Sequence, residues 1–288
     1  MTLVRAVFAL LAASALLILL VRFLEPRFAF FPLRGEDTTP KDCGLPFEAR
    51  TIETSDGERL RAWLIPHREP RAIVVYFHGN GGHLSMWAPI VCAIARRGFS
   101  VLAFDYRGYG VSSGRPTESG LYRDVDAIVE HVWSESDPLQ PTPPAPPAPL
   151  APPASRAPPA PVLYWGRSLG ASMAAYAATR HAPAGVILES GFPEARSLVR
   201  APSPMALLAL FSTYRFPAAQ YMRESKVPAL VMHGDHDSVI PYDQGRALYA
   251  QLTGPKEFFT IKGGDHNDAT PADERAYWQA ITHFIDRL

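Results

Sequence analysis

The apolar run Val162-Leu163-Tyr164-Trp165 ends in Gly166-Arg167-Ser168-Leu169-Gly170, and small, helix-compatible residues follow at once from Ala171 to Ala175. A strand, a sharp turn and a helix form the context in which Gly-x-Ser-x-Gly marks a nucleophile elbow. Such a turn holds its serine in a strained backbone conformation, and the flanking glycines remove side chains that would clash there. The Ser168 hydroxyl then stands exposed at the end of a strand, beside a helix N-terminus. The unit needs a sheet to carry its strand and neighbouring loops to supply reaction partners, so the rest of the chain is read for both.

The chain has 288 residues, enough for one large α/β domain. Two alternating runs, Phe47–Thr54 and Arg59–Ile65, flank Ser55-Asp56-Gly57 and read as an antiparallel hairpin. Ile73–Phe77 and Val101–Phe104 are continuous apolar runs, as strands covered on both faces should be. The first ends in His78-Gly79-Asn80-Gly81-Gly82, the second in Asp105-Tyr106-Arg107-Gly108-Tyr109-Gly110. Helical spacing follows each, over about Ser85–Arg97 and Glu118–Val132. Further strands at Gly185–Glu189, Ala229–Met232 and Glu257–Ile261 alternate with helices at Tyr242–Thr253 and Pro271–Arg287. This alternation predicts an α/β fold, a mainly parallel sheet with helices on both faces. In such sheets, reactive groups gather beyond the carboxyl ends of the strands, and the polar and Gly-rich loops of this chain all follow strands.

Three stretches fall outside that rhythm. Ala6–Val21 is an apolar run between Arg5 and Arg22. Its length lies at the boundary between a spanning helix and a signal-peptide core, and no small-x-small cleavage site follows it. Residues 1–27 are therefore read as an uncleaved membrane anchor, with a cleaved signal as the alternative. Residues 28–288 form the catalytic domain. Basic residues on both sides of the run leave its orientation open. Pro138–Pro161 is almost entirely Pro and Ala, which excludes helix and sheet and reads as an exposed insertion. Residues 192–227 are irregular, partly helical and apolar, and are read as a small cap.

A serine hydroxyl needs a base to accept its proton, and a histidine base needs a carboxylate to orient it. His266 follows the last strand and Asp237 the one before it. The order Ser168, Asp237, His266 is that of an α/β-hydrolase triad. Asp235 is the alternative acid. Backbone N–H groups of Leu169 and Asn80 are the candidate oxyanion donors. Met205, Leu208 and Phe211 are candidate substrate-binding residues, with a plain core role as the competing reading. No metal or cofactor is required by this chemistry. Lys+Arg and Asp+Glu balance at 28 each, which removes the electrostatic footprint of a nucleic-acid binder. Cys43 and Cys92 are too few for a disulfide framework. They are expected to be unbridged, with Cys92 a small buried hydrophobe.

Taken together, His78-Gly79-Asn80-Gly81, Phe104–Gly110, Gly166–Gly170, His233-Gly234-x-x-Asp237 and His266-Asn267-Asp268 resemble the Bem46-like serine hydrolases. These are α/β-hydrolases related to the ABHD13 and ABHD17 group. The likeness runs from Leu45 to the final helix and includes the apolar N-terminal segment. It implies hydrolysis of esters or thioesters, with lipid or acylated substrates in some members. Ala171 stands where the family has a second glycine, and Gly263-Gly264-Asp265-His266 replaces a Gly-x-Gly-His pattern. The Asp265 carboxylate is expected to favour a charged imidazole at His266. The expected partners are a small-molecule or lipid-like ester and, through the N-terminal segment, a membrane. A peptidase or amidase of the same fold is the competing enzyme. A scaffold that binds a partner through the Pro-rich loop is the competing non-enzyme. Nothing in the sequence sets the oligomeric state.

Overall fold

The computed structural model describes residues 2–134, 160–198, 213–268 and 272–288. Its sheet is built from eight strands: β2 (Glu48–Glu53), β3 (Arg59–Ile65), β4 (Ile73–Phe77), β6 (Ser100–Phe104), β7 (Val162–Arg167), β8 (Gly185–Glu189), β9 (Ala229–Gly234) and β10 (Lys256–Ile261). The spatial order is β10-β9-β8-β7-β4-β6-β3-β2. From β6 to β10 every pairing is parallel, while β3 runs antiparallel to both β6 and β2. The Asp56-Gly57 turn sets the hairpin register, with Glu53 opposite Arg59. The chain turns back at β4, whose neighbours β6 and β7 leave on opposite sides. A crevice opens at such a reversal, beyond the carboxyl ends of the strands.

Both faces of the sheet are covered, as continuous apolar strands require. Helices α3 (Glu118–Trp133) and α4 (Leu169–Arg180) lie on one face with Val75, Phe77, Tyr164 and Leu188. Helices α2 (Leu84–Ala95) and α7 (Glu274–Ile285) lie on the other with Val74, Tyr76, Trp165 and Ile187. Two shorter helices, α5 (Ala218–Ser225) and α6 (Tyr242–Gln251), complete the first layer.

Helix α1 spans Thr2–Ala29, and its stretch Val4–Ala29 is long and apolar enough to cross a membrane. Its far end is tied into the domain by a two-stranded pairing absent from the sequence reading. Strand β1 (Phe31–Pro32) runs parallel to β5 (Gly81–Gly82). Two residues carry too little alternation to announce a strand.

The cysteines overturn their expectation. Cys43 and Cys92 form a disulfide. Residues 35–44, a polar linker between β1 and β2, are not loose. They close a 3-10 turn at Pro40–Cys43, ended by Gly44 at φ 74°, and lie on α2. The Thr38 N–H donates to Ser85 Oγ at 3.1 Å, and Arg96 donates to the Cys43 carbonyl at 2.7 Å. Cys92 is buried, as expected, but under this linker rather than among apolar neighbours alone. A separation of 49 residues hid that proximity. The Pro/Ala-rich insertion at 138–161 lies outside the described residues except for Ala160 and Pro161.

Candidate active site

Ser168 joins β7 to α4 with φ 58° and ψ −120°, a conformation that L-residues other than glycine rarely adopt. The neighbours explain how it is held. A Cβ on Gly166 would collide with the Gly170 carbonyl, and one on Gly170 with the Phe77 carbonyl of β4. Both glycines are thus required by close backbone approach. The Ser168 N–H donates to the Glu189 carbonyl at 2.9 Å, which locks the turn to β8.

The loops after β9 and β10 bring two further side chains to this point. His266 Nε2 lies 3.1 Å from Ser168 Oγ. His266 Nδ1 lies 2.8 Å from Asp237 Oδ2. Because a carboxylate accepts, Nδ1 carries the proton and Nε2 is left to face the hydroxyl. Asp237 Oδ1 accepts the N–H groups of Val239 and Ile240 at 3.0 and 2.7 Å. Burial raises the affinity of the Asp237 carboxyl for a proton. The hydrogen bond and electrostatic pull of His266 and the Ile240 N–H outweigh burial and hold the carboxyl below its ordinary value. All three residues are buried, with the Asp237 carboxylate fully enclosed and the His266 ring 9% exposed toward the cavity. Asp235, the alternative acid, is exposed and caps the Gly263 N–H at 2.7 Å. Asp237 is the carboxylate brought to the imidazole.

The Leu169 N–H is the first of α4 and has no acceptor within that helix. Asn80 lies across from it in the loop after β4, and both line the same cavity. The Asn80 side chain has a task that the sequence did not reveal. Its Nδ2 donates to the Ala29 carbonyl at the end of α1 at 2.7 Å. Tyr109 Oη reaches its carbonyl at 3.0 Å and its Oδ1 at 2.9 Å. The loop is thereby clamped between the N-terminal helix and the Gly-rich turn after β6. Below it, the buried His78 donates from Nδ1 to the Gly79 carbonyl at 2.7 Å.

Arg167 was missed as a functional residue. Its buried guanidinium donates to the carbonyls of His266 and Asp268 at 2.7 and 2.8 Å. It lies 3.7 Å from Glu189 of β8, which also accepts Trp165 Nε1 and Tyr277 Oη. The variable position of the elbow therefore fixes the loop that presents the imidazole. The signal was present in the sequence: an arginine and a glutamate end two otherwise apolar strands, and they are register partners. Asp265 stays within electrostatic reach of the imidazole: hydrogen bonds from Ser238, then the His266 N–H and the His266 side chain, hold its carboxyl below the ordinary value. Its carboxylate accepts the Ser238 N–H at 2.7 Å, which joins the acid loop to the base loop.

The groups face a cavity of about 940 Å³. Ser168, Leu169, His266 and Asn80 lie in its lining. So do Phe192, Tyr214 and Phe216 from the described parts of the expected cap. Met205, Leu208 and Phe211 lie outside the described residues.

A serine presented on a strained elbow, hydrogen-bonded to a histidine and through it to an aspartate beyond a parallel sheet, defines an α/β-hydrolase. Known proteins agree. Residues 68–143 match a family model described as serine aminopeptidase, S33. The chain is 30% identical over 282 residues to Rv2307c of Mycobacterium tuberculosis, covering 97% of this chain and 93% of that one. It is 29% identical over 261 residues to the membrane protein YNL320W of Saccharomyces cerevisiae, covering 88% and 84%. The Pyrococcus furiosus esterase Pf2001 superposes with a TM-score of 0.66 at 19% identity, over 89% of this chain and 96% of that one. That last likeness speaks for the fold alone. The chain is an enzyme of the α/β-hydrolase class and belongs to its Bem46-like family.

Proposed function

We propose that this enzyme is a membrane-anchored serine hydrolase that cleaves carboxylic ester or thioester bonds of lipid-like or acylated substrates through an acyl-enzyme. The observation that carries the reading is the hydrogen-bonded line from Ser168 Oγ through His266 to Asp237, opening into an apolar cavity. Ser168 Oγ attacks the carbonyl carbon as His266 Nε2 takes its proton. Asp237 keeps Nδ1 protonated and balances the imidazolium. The carbonyl oxygen becomes an oxyanion facing the N–H groups of Leu169 and Asn80. Collapse breaks the bond to the leaving alcohol or thiol, which receives the proton from His266. Water then attacks the acyl-serine, losing its proton to His266, and releases the acid and free Ser168.

Labelling of membrane fractions with a fluorophosphonate probe tests this. Wild type should label and Ser168→Ala should not. A folded wild type that fails to label sinks the serine mechanism. Because the matched family model is described as an aminopeptidase, p-nitrophenyl esters and aminoacyl p-nitroanilides should be compared. Faster turnover of the anilides would replace the ester reading.

Helix α1 supplies the anchor, and the disulfide supplies an orientation that flanking charge does not. A bond between Cys43 and Cys92 persists where the compartment is oxidising. The catalytic domain therefore faces the extracytoplasmic side. Alkylation of intact cells' protein before and after reduction reads this directly. Thiols that alkylate without reduction would place the domain in the cytosol.

A further inference from the structure

The cavity is not built by the hydrolase domain alone. Val21, Leu24 and Phe28 of α1 line it, facing the floor that holds Ser168 and His266. This stretch of the helix is fastened rather than merely adjacent. Phe30 is buried, with its ring 5.4 Å from that of Tyr214 and 6.2 Å from that of Phe216. Glu25 accepts the Thr213 N–H at 3.0 Å and its hydroxyl at 2.9 Å. The Ala29 carbonyl holds Asn80, and β1 pairs with β5. The same helix that is apolar enough to cross a membrane is thus one wall of the catalytic cavity.

Position follows from helix geometry. Val21 to Ala29 covers about 12 Å of rise. The apolar run ends at Val21, and Arg22 and Arg27 are placed to reach the headgroups while their stems stay in apolar surroundings. The headgroup region of each leaflet is roughly 5–8 Å thick. The wall therefore stands at the membrane surface, at the depth of headgroups and upper acyl chains. The rim agrees. Phe28, Phe31, Met86 and Val239 all line the cavity, yet each is more than half exposed. They continue the exposed apolar face of α1 onto the domain.

The lining also restricts what can enter. Among the described residues it contains two side chains of fixed charge, Glu25 and Arg167. Glu25 is taken by Thr213, and Arg167 by Glu189 and two carbonyls. Among the described residues no free cation stands there to meet a phosphate or carboxylate, and the occupant these residues match is an uncharged hydrocarbon chain.

We propose that α1 is the inner wall of an acyl-chain site, and that the enzyme draws long-chain acyl esters sideways out of the bilayer in which α1 is embedded, leaving their headgroups at the surface. This rests on the hydrolase reading above and adds the substrate's chain and its route of entry.

The test uses the full chain in phosphatidylcholine vesicles with p-nitrophenyl palmitate and p-nitrophenyl acetate. The double variant Leu24→Ser/Phe28→Ser should lower the palmitate-to-acetate ratio of kcat/KM at least tenfold. An unchanged ratio overturns the wall. Raising inert phosphatidylcholine at fixed total palmitate ester should lower the rate in proportion to its dilution in the bilayer. A rate that ignores this dilution overturns entry from the membrane. Fluorophosphonate labelling keeps the failures apart and reports on folding of the variant. A wild type that labels but shows either contrary result loses only the acyl site. A wild type that neither labels nor turns over either ester loses the hydrolase reading, and this proposal falls with it.

Discussion

The cavity has a floor and a wall of opposite character. The floor is polar and closely tied: Ser168, His266 and Asp237 hang from three strand ends, and Arg167 and Glu189 brace them from beneath. The wall is apolar and fastened along one edge, through Phe30, Asn80 and Glu25. On the floor the reacting atoms of Ser168, His266 and Asp237 each have a partner whose loss leaves something buried and unsatisfied. On the wall a residue can change shape without orphaning a charge. Chemistry should therefore be lost by changes to the floor, and substrate preference altered by changes to the wall. A floor variant that changed chain-length preference, or a wall variant that removed labelling, would break that division.

The largest effect should come from Asp237→Asn. Its amide can present an N–H to the imidazole, which favours the wrong tautomer, so Nε2 arrives protonated at Ser168. The kcat should fall by about 10⁴ while the folded state persists, since comparable triads lose that much on this change. Steady-state kinetics beside thermal unfolding would check it. A loss below about tenfold would mean that the carboxylate does not act through His266.

Arg167→Met comes next. It removes the brace on the His266 carbonyl and leaves Glu189 as an uncompensated buried charge. Breaking a buried pair in this way costs about 3–5 kcal/mol. Adding Glu189→Gln removes the stranded charge and should recover most of the stability, read by urea unfolding. The kcat should stay low, because the loop carrying His266 is still unbraced. Recovery of both together would make Arg167 a structural residue only.

The floor was largely legible in the sequence, and the wall was not. Ser168, Asp237 and His266 announce themselves because each follows an apolar strand and the reaction demands those residue types. The glycines of the elbow are visible for the same reason: backbone contact leaves no substitute. Arg167 escaped notice because its role lies across the sheet, on Glu189 and on the carbonyl of a residue 99 positions away. The wall escaped because α1 reads as an anchor by composition alone. Nothing in an apolar periodicity says that its last turns return to the catalytic cavity. The disulfide was misjudged on similar grounds, since two cysteines 49 residues apart carry no signal until the linker is seen packed on α2.

The smallest effect concerns the underside of the floor, where His78 supports the Asn80 loop. Burial pushes its imidazole down to about 4 from an ordinary 6.5. The folded state keeps the ring neutral while the unfolded chain takes up a proton below pH 6.5. Unfolding then binds a proton throughout that window, so stability present above pH 6.5 is lost as pH falls toward 4. Asp105, whose Oδ1 lies 3.5 Å from the ring, works in the opposite direction. Burial pushes its carboxyl up to about 7, although the Leu84 N–H pulls it down. The folded state therefore holds a proton that the unfolded chain releases, and stability falls as pH rises from about 4 to 7. The two slopes oppose each other over most of this range, so wild type alone should look nearly flat. His78→Asn keeps a donor toward the Gly79 carbonyl and removes one slope. Wild type should lose up to about 3 kcal/mol relative to this variant between pH 6.5 and 4. Urea unfolding of both proteins across that interval reads the difference. A constant difference would mean that the ring is already charged in the folded protein, paired with Asp105, and that the loop above it rests on a buried ion pair.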